Sequence, residues 1–314
     1  IAHGGDGGGS LRTPASCCGL VGLKPSRGRT PVGPDVGEAV FGLAVDSVLT
    51  RTVRDAAGAL DTIRGAAQGD RFVAPPPKRP YVNEPATDPG RLRIALAVDG
   101  WFGRPVDPEC AATARAAAEA LADLGHVVTE TCFRIDLERF VEAMEVPFAA
   151  LQANTLDDLS AGLGRTPGAE NLEALTLAFA ESGRRLDYRD LHRSAATFNE
   201  VSRTAAAFFD DIDILLTPTL ATPPVPLGRF DTTAATTPRE WIARACEFLP
   251  YGMLFNVTGQ PAIALPLGHT GDGLPIGVQA GARFGDEATL LRLAAQLERR
   301  LPWRHRTPKV HASR

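Results

Sequence analysis

Apolar and polar positions alternate along the chain in a way that separates short strands from longer amphipathic helices. Val53, Ala56, Ala57, Leu60 and Ile63 recur at helical spacing behind Thr52, which predicts a helix capped by the Thr52 hydroxyl and closed at Gly65. Phe41 to Thr50 predicts a short strand or turn, and Leu92 to Val98 a strand. Asp107-Pro108-Glu109 opens a predicted helix that ends at Leu124-Gly125, and Val127 and Val128 begin the next strand. Residues 136 to 211 are helical by pattern, with Phe140, Val141, Met144, Phe148 and Leu151 on one stripe and Leu172, Leu175 and Phe179 on another; such stripes are read as core. Ile212 to Thr219, Ala262 to Leu267 and Leu274 to Gln279 read as strands, while Pro238 to Phe248 and the stretch from Asp286 through Leu297 read as helices. A strand, helix, strand order of this kind is the unit of an α/β layer fold.

Three stretches fall outside the periodic pattern. Six prolines between Gly69 and Gly90 predict an extended surface connection without a helix. Trp303 to Arg314 is polar and reads as a loosely ordered tail. The third stretch, Gly4-Gly5-Asp6-Gly7-Gly8-Gly9-Ser10, packs five glycines, a carboxylate and a hydroxyl into seven residues, so its backbone can turn sharply and present several N–H groups to one point.

Composition narrows the classes. The 314 residues are 44% hydrophobic, enough for a sizeable core in one large or two modest domains. A net charge of −4 supplies no basic surface, so no nucleic-acid partner is expected, and no apolar run approaches the eighteen residues of a membrane span. Cys17, Cys18, Cys110, Cys132 and Cys246 are odd in number and irregular in spacing, which fits buried free thiols in a reducing, cytoplasmic setting better than disulfides or a metal site.

The glycine-rich stretch admits three readings. A phosphate loop is excluded, since no Gly-Lys-Ser/Thr closes it and the first lysine is Lys24. A flexible turn and a nucleophile turn both stay open on the residues alone. In the nucleophile turn Ser10 attacks and the surrounding N–H groups stabilise a tetrahedral oxyanion.

The run Asp6-Gly7-Gly8-Gly9-Ser10-Leu11-Arg12, continuing through Pro14-Ala15, Cys18-Gly19-Leu20-Val21-Gly22-Leu23-Lys24-Pro25, Gly28-Arg29 and Pro31, resembles the signature segment of the amidase signature family. Leu49 to Asp55, Ile212 to Thr219 and Phe255 to Ala262 resemble the same family. The resemblance implies a three-layer α/β/α fold with a central mixed sheet, a single domain over 1–314 with a variable helical region at 136–211, and hydrolysis of a small-molecule amide through a serine acyl-enzyme. It places Ser10 on the nucleophile, Gly7, Gly8 and Gly9 with Ser10 on the oxyanion hole, and Asp6 and Arg12 on loop support. Gly5 stands where many relatives carry a small polar residue. No cofactor or metal is implied, and a homodimer is compatible with the family.

In that family a lysine, relayed through a second serine after a cis peptide bond, activates the nucleophile from upstream of the signature. Lysines occur here only at Lys24, Lys78 and Lys309. None matches that base; Lys24 precedes Pro25 in the structural tail of the signature. His3, His126, His192, His269, His305 and His311 lie in no recognisable triad context, and Cys17 and Cys18 match small packing positions. Opening at Ile1 inside the motif, the chain reads as the C-terminal part of a longer amidase that lacks base and relay serine, so little activity is expected of it alone. A glutamine-dependent amidotransferase A-type subunit and a noncatalytic remnant that binds a ligand or partner through the retained half-site are the alternatives.

Overall fold

An eight-stranded mixed sheet runs through the computed structural model, which describes residues 1–131, 134–308 and 310. Its strands are β1 (Ala2–Asp6), β2 (Val21–Lys24), β3 (Val45–Thr50), β4 (Arg93–Leu96), β5 (Val127–Glu130), β6 (Ile214–Pro218), β7 (Ala262–His269) and β8 (Pro275–Ala282), in the order β1-β3-β2-β7-β8-β6-β4-β5. β4 lies parallel to β5 and β6, and every other pairing is antiparallel. The parallel β4–β5 pair needs a crossover, and α3 (Pro108–Asp123) supplies it.

Side chains on successive strand residues leave opposite faces of the sheet, and the two faces feed two cores. Ile94 and Leu96 of β4, Ile214 and Leu216 of β6, and Val278 and Ala280 of β8 pack with α2 (Val53–Ile63), α3 and α9 (Glu287–Arg300). Ala95 and Leu215 face the other way. There they meet α4 (Leu137–Leu163), α5 (Ala174–Arg184), α6 (Tyr188–Phe208), α7 (Pro238–Phe248) and α8 (Gly252–Thr258). The result is the three-layer α/β/α arrangement expected from the sequence. No described helix is long and apolar enough to cross a membrane.

Caps fall where the side chains predict them. Thr52 accepts the Asp55 amide at 3.1 Å, Asp107 the Glu109 amide at 2.8 Å, and Asp286 the Thr289 amide at 3.2 Å.

Several expectations need correcting. The glycine-rich stretch is an ordered strand, turn and helix: β1 ends at Asp6 and α1 (Arg12–Cys18) begins two residues beyond Ser10. The proline-rich connection contains a 3-10 helix at Tyr81–Ala86. It forms because its end turns, closed by the Asn83 amide on the Pro80 carbonyl and the Thr87 amide on the Glu84 carbonyl, do not need the N–H that Pro85 lacks, and because Tyr81 and the Glu84 carboxylate are buried, the latter against Arg79 and Arg292. α8 was not expected; its Phe255 ring lies so close to β8 that a Cβ on Gly281 would stand 2.1 Å from Cε1. Trp303 is buried and its indole N–H donates to the Arg51 carbonyl at 2.9 Å, so the tail is tied down there. Among the described cysteines Cys110 and Cys246 are buried, whereas Cys17 is half-buried and Cys18 exposed at the end of α1. Cys132, Lys309 and His311 lie outside the described residues.

Candidate active site

Asp6 organises the turn. Its fully buried carboxylate accepts the Gly9 amide at 2.7 Å and the Leu11 amide at 3.2 Å, folding the chain back on itself. Gly9 sits at φ +131°, a conformation that a side chain would oppose. Arg12 clamps the same carboxylate from α1, with Nε and Nη2 each 2.9 Å from an Asp6 oxygen. Burial alone would raise the Asp6 carboxyl, but the Arg12 charge and hydrogen bonds, helped by Asn256, hold it well below the usual carboxylate range.

Arg12 then joins this turn to the middle of the protein. Its Nη1 donates to the Gly252 carbonyl at 2.8 Å and to Gln279 Oε1 at 2.9 Å, and its Nη2 to Asn256 Oδ1 at 2.7 Å. The Asn256 amide donates in turn to the Asp6 carbonyl, to Asp6 Oδ1 and to the Leu43 carbonyl, at 2.8, 2.9 and 3.0 Å. Gln279 Nε2 reaches Thr217 Oγ1 at 3.3 Å and the Tyr251 carbonyl at 3.2 Å. One arginine therefore fixes the loop against α8 and two strands.

Above that network Ser10 is exposed to solvent. The Gly9 N–H belongs to Asp6, while the amides of Gly7, Gly8 and Ser10 have no partner among the described residues. Gly5 to Ser10 form one side of a cavity of about 730 Å³. Thr13 and Pro14 at the start of α1, Val40 and Ala44 on the loop before β3, and Met253 on α8 continue that side. The far side comes from Gln152 on α4, Leu175, Thr176 and Phe179 on α5, Thr232, and Trp241, Ile242 and Ala245 on α7; Phe148 and Leu249 join it to the turn, 3.9 Å and 3.5 Å from a Cβ built on Gly8 and Gly9. Phe148, Leu175 and Phe179, read from their periodicity as core, thus also line the cavity. Leu151 of the same stripe is exposed.

The other ionisable candidates lie elsewhere. Lys24 is buried at the end of β2 and its Nζ donates to the Pro25 carbonyl at 2.8 Å; it does not line the cavity. Burial, then the nearby Arg12 charge, lowers its ammonium to about 7. Burial pushes the Cys17 thiol up to about 11, away from thiolate character. His126 is a buried structural residue, accepting the Leu92 amide at Nδ1 and contacting Gln296 Oε1 at 2.9 Å through Nε2.

The family model described as Amidase matches residues 1–291. The chain belongs to the amidase family. Over 322 residues it is 37% identical to the 6-aminohexanoate-cyclic-dimer hydrolase of Paenarthrobacter ureafaciens, covering 99% of this chain and 65% of that protein. It is 38% identical to the putative amidase AmiB2 of Mycobacterium bovis, covering 99% of this chain and 63% of that one. Among solved structures it resembles 6-aminohexanoate cyclic dimer hydrolase complexed with substrate, at a TM-score of 0.91 and 34% identity over 98% of this chain and 66% of that one. The chain spans somewhat less than two thirds of the length of these relatives.

Within this amidase-family chain, sequence reasoning brought Asp6, Gly7, Gly8, Gly9, Ser10 and Arg12 to one place and missed the groups that hold them there. Asn256 and Gln279 each carried a signal: an amide side chain inside an apolar, buried segment requires a polar partner. Gln152, Thr176 and Trp241 carried none, because polar and aromatic residues on half-exposed helices are ordinary.

Proposed function

We propose that Ser10 is the nucleophile of an amide hydrolase, attacking a carboxamide carbon to form an acyl-enzyme that water then resolves. The supporting observation is an exposed hydroxyl lining a cavity, on a turn whose Gly7, Gly8 and Ser10 amides have no partner among the described residues. Such amides stabilise the negative oxygen that develops in the tetrahedral intermediate, which is the largest single contribution in acyl transfer. Gly9 then serves the oxyanion hole through its conformation, since its own N–H is held by Asp6. Asp6 and Arg12 act as supports for the turn.

Family membership supports the class of reaction. The relatives named above are amide hydrolases by description, one of them acting on a cyclic dimer of 6-aminohexanoate. In this reading the lysine base and relay serine belong to sequence ahead of the signature, the 314 residues form a single amidase domain, and by themselves they turn over little substrate. A cytoplasmic location and a homodimer complete the reading; the free thiols support the first.

The test compares Ser10→Ala with the unaltered protein, both as the 314 residues and extended by whatever the gene encodes ahead of Ile1. Hydrolysis of a simple anilide is expected from the extended protein, with a loss of about 10³-fold or more on Ser10→Ala. Turnover that survives Ser10→Ala overturns the nucleophile. Efficient turnover by the 314 residues alone overturns the base assignment.

A further inference from the structure

The far side of the cavity is built from three helices by helical spacing. Phe148 and Gln152 are four residues apart on α4, Thr176 and Phe179 three apart on α5, and Trp241 and Ala245 four apart on α7, so each pair shares a face turned to the same space. Most of what they present is apolar: Phe148, Phe179 and Trp241 with Leu175, Ile242 and Leu249. Trp241 is held edge-on by Phe230, ring centroids 5.6 Å apart, and is covered on its face by Arg244 at 5.4 Å. That side is therefore a firm aromatic surface.

Its lining side chains carry no charge, the Arg244 guanidinium lying on the Trp241 ring without lining the cavity. Among the described lining residues Asp6 is the one ionisable group, and its carboxylate is sealed beneath Arg12. A ligand carrying an ammonium or carboxylate into this space would lose hydration without gaining a counter-ion.

Hydrogen bonding is not missing. The side chains of Gln152, Thr176 and Thr232 are half-buried in the lining, and none has a hydrogen-bond partner among the described residues. Polar groups of this kind, few and set in an apolar surround, fix the orientation of a bound molecule. A volume of about 730 Å³ is far larger than an acetamide needs and lies within the usual range for drug-sized ligands.

We propose that the site takes an uncharged amide with a long, largely apolar acyl chain, and that Gln152, with Thr176 beside it, reads a second uncharged polar group in that chain. The proposal rests on the assignment of Ser10 as nucleophile for its direction, since the scissile amide sits at the Ser10 side and the second group at the α4–α5 side. Gln152 is a specificity residue that touches the far part of the substrate, and it takes no part in bond cleavage.

The experiment measures binding, so that it does not depend on turnover. Ser10→Ala in the 314-residue chain is titrated calorimetrically with four anilides that share a hexanoyl chain: one unsubstituted, one ending in an acetamido group, one ending in an ammonium and one ending in a carboxylate. Both neutral ligands are expected to bind at least about tenfold more tightly than both charged ones. The acetamido ligand is expected to gain about three- to tenfold over the unsubstituted one, the scale of one good hydrogen bond. Gln152→Leu removes that gain and leaves the unsubstituted anilide unchanged, a selective effect that a general loss of structure does not give. Thr176→Val, tested in parallel, reduces the same gain by a smaller factor.

Tighter binding of a charged ligand, no saturable binding of any ligand at millimolar concentration, or equal weakening of all four by Gln152→Leu overturns the proposal. Failure of the nucleophile assignment reads out separately, as anilide turnover that persists in Ser10→Ala while the binding pattern stays intact.

Discussion

The two sides of the cavity are built on opposite principles. On the Ser10 side Asp6, Arg12, Asn256 and Gln279 close a buried hydrogen-bond network in which each side chain makes two or more bonds. On the α4–α5–α7 side the contacts are apolar, and the side chains of Gln152, Thr176 and Thr232 have no hydrogen-bond partner among the described residues. The first side is over-determined, because removing any member strands a buried polar group. On the second, the half-buried Gln152, Thr176 and Thr232 can change at little cost to the fold, whereas Leu175, Phe179 and Ile242 belong to the buried core. In the proposed reading chemistry and selectivity are separated in space, and a substitution on one side should reveal which role it touches.

The largest expected effect comes from breaking the first side at its centre. Arg12→Met leaves the buried Asp6 carboxylate without its cation, and urea unfolding should show a loss of about 3–5 kcal/mol. An effect below about 1 kcal/mol would mean that the network does not hold the loop.

Asn256→Leu comes next. It removes three donated hydrogen bonds, strands the Leu43 carbonyl, and should cost about 2 kcal/mol in the same assay.

Lys24 sharpens the comparison through pH. In the folded protein its ammonium releases its proton near pH 7, whereas in the unfolded chain it keeps it to an ordinary lysine value of about 10.4. Between those limits the unfolded state binds more protons, so stability rises with pH at up to about 1.4 kcal/mol per unit, and below pH 7 this contribution is flat. Lys24→Met should flatten the rise between pH 7 and 10 relative to the unaltered protein, measured as unfolding free energy at several pH values. An unchanged slope in the variant would remove Lys24 as its source.

Thr176→Val is the smallest. On a half-exposed helix position whose side chain has no hydrogen-bond partner among the described residues, it should stay within about 0.5 kcal/mol of the unaltered protein by thermal or urea unfolding. A cost above about 1 kcal/mol would show that the far side is also part of the stabilising framework.

The same division explains what could be read from the sequence. The helices α2, α3, α7 and α9 carry local signals, a capping side chain followed by apolar residues at helical spacing, and those signals locate them to within a few residues. β1, α1 and β2 were hidden because their defined structure comes from distant partners, β1 and β2 from pairing with β3 and β7 and Arg12 of α1 from Asn256 and Gln279, some 240 residues or more away. The α8 helix was hidden because it is seven residues long and buried on all sides, so no amphipathic period marks it. Ser10 and its neighbours were legible as a motif. The cavity opposite them was not, since a lining residue such as Phe148 has the same spacing as core residues Phe140 and Met144, and only the fold shows which part of the stripe is covered.

The most direct test of the account is to locate the acyl-transfer site. The extended protein is treated with a fluorophosphonate and the modified peptide is mapped by mass spectrometry. The account predicts one stoichiometric adduct on Ser10, absent in Ser10→Ala and formed more slowly in Arg12→Met. An adduct on the exposed Cys18 or on any other residue, with Ser10 unmodified, would contradict it.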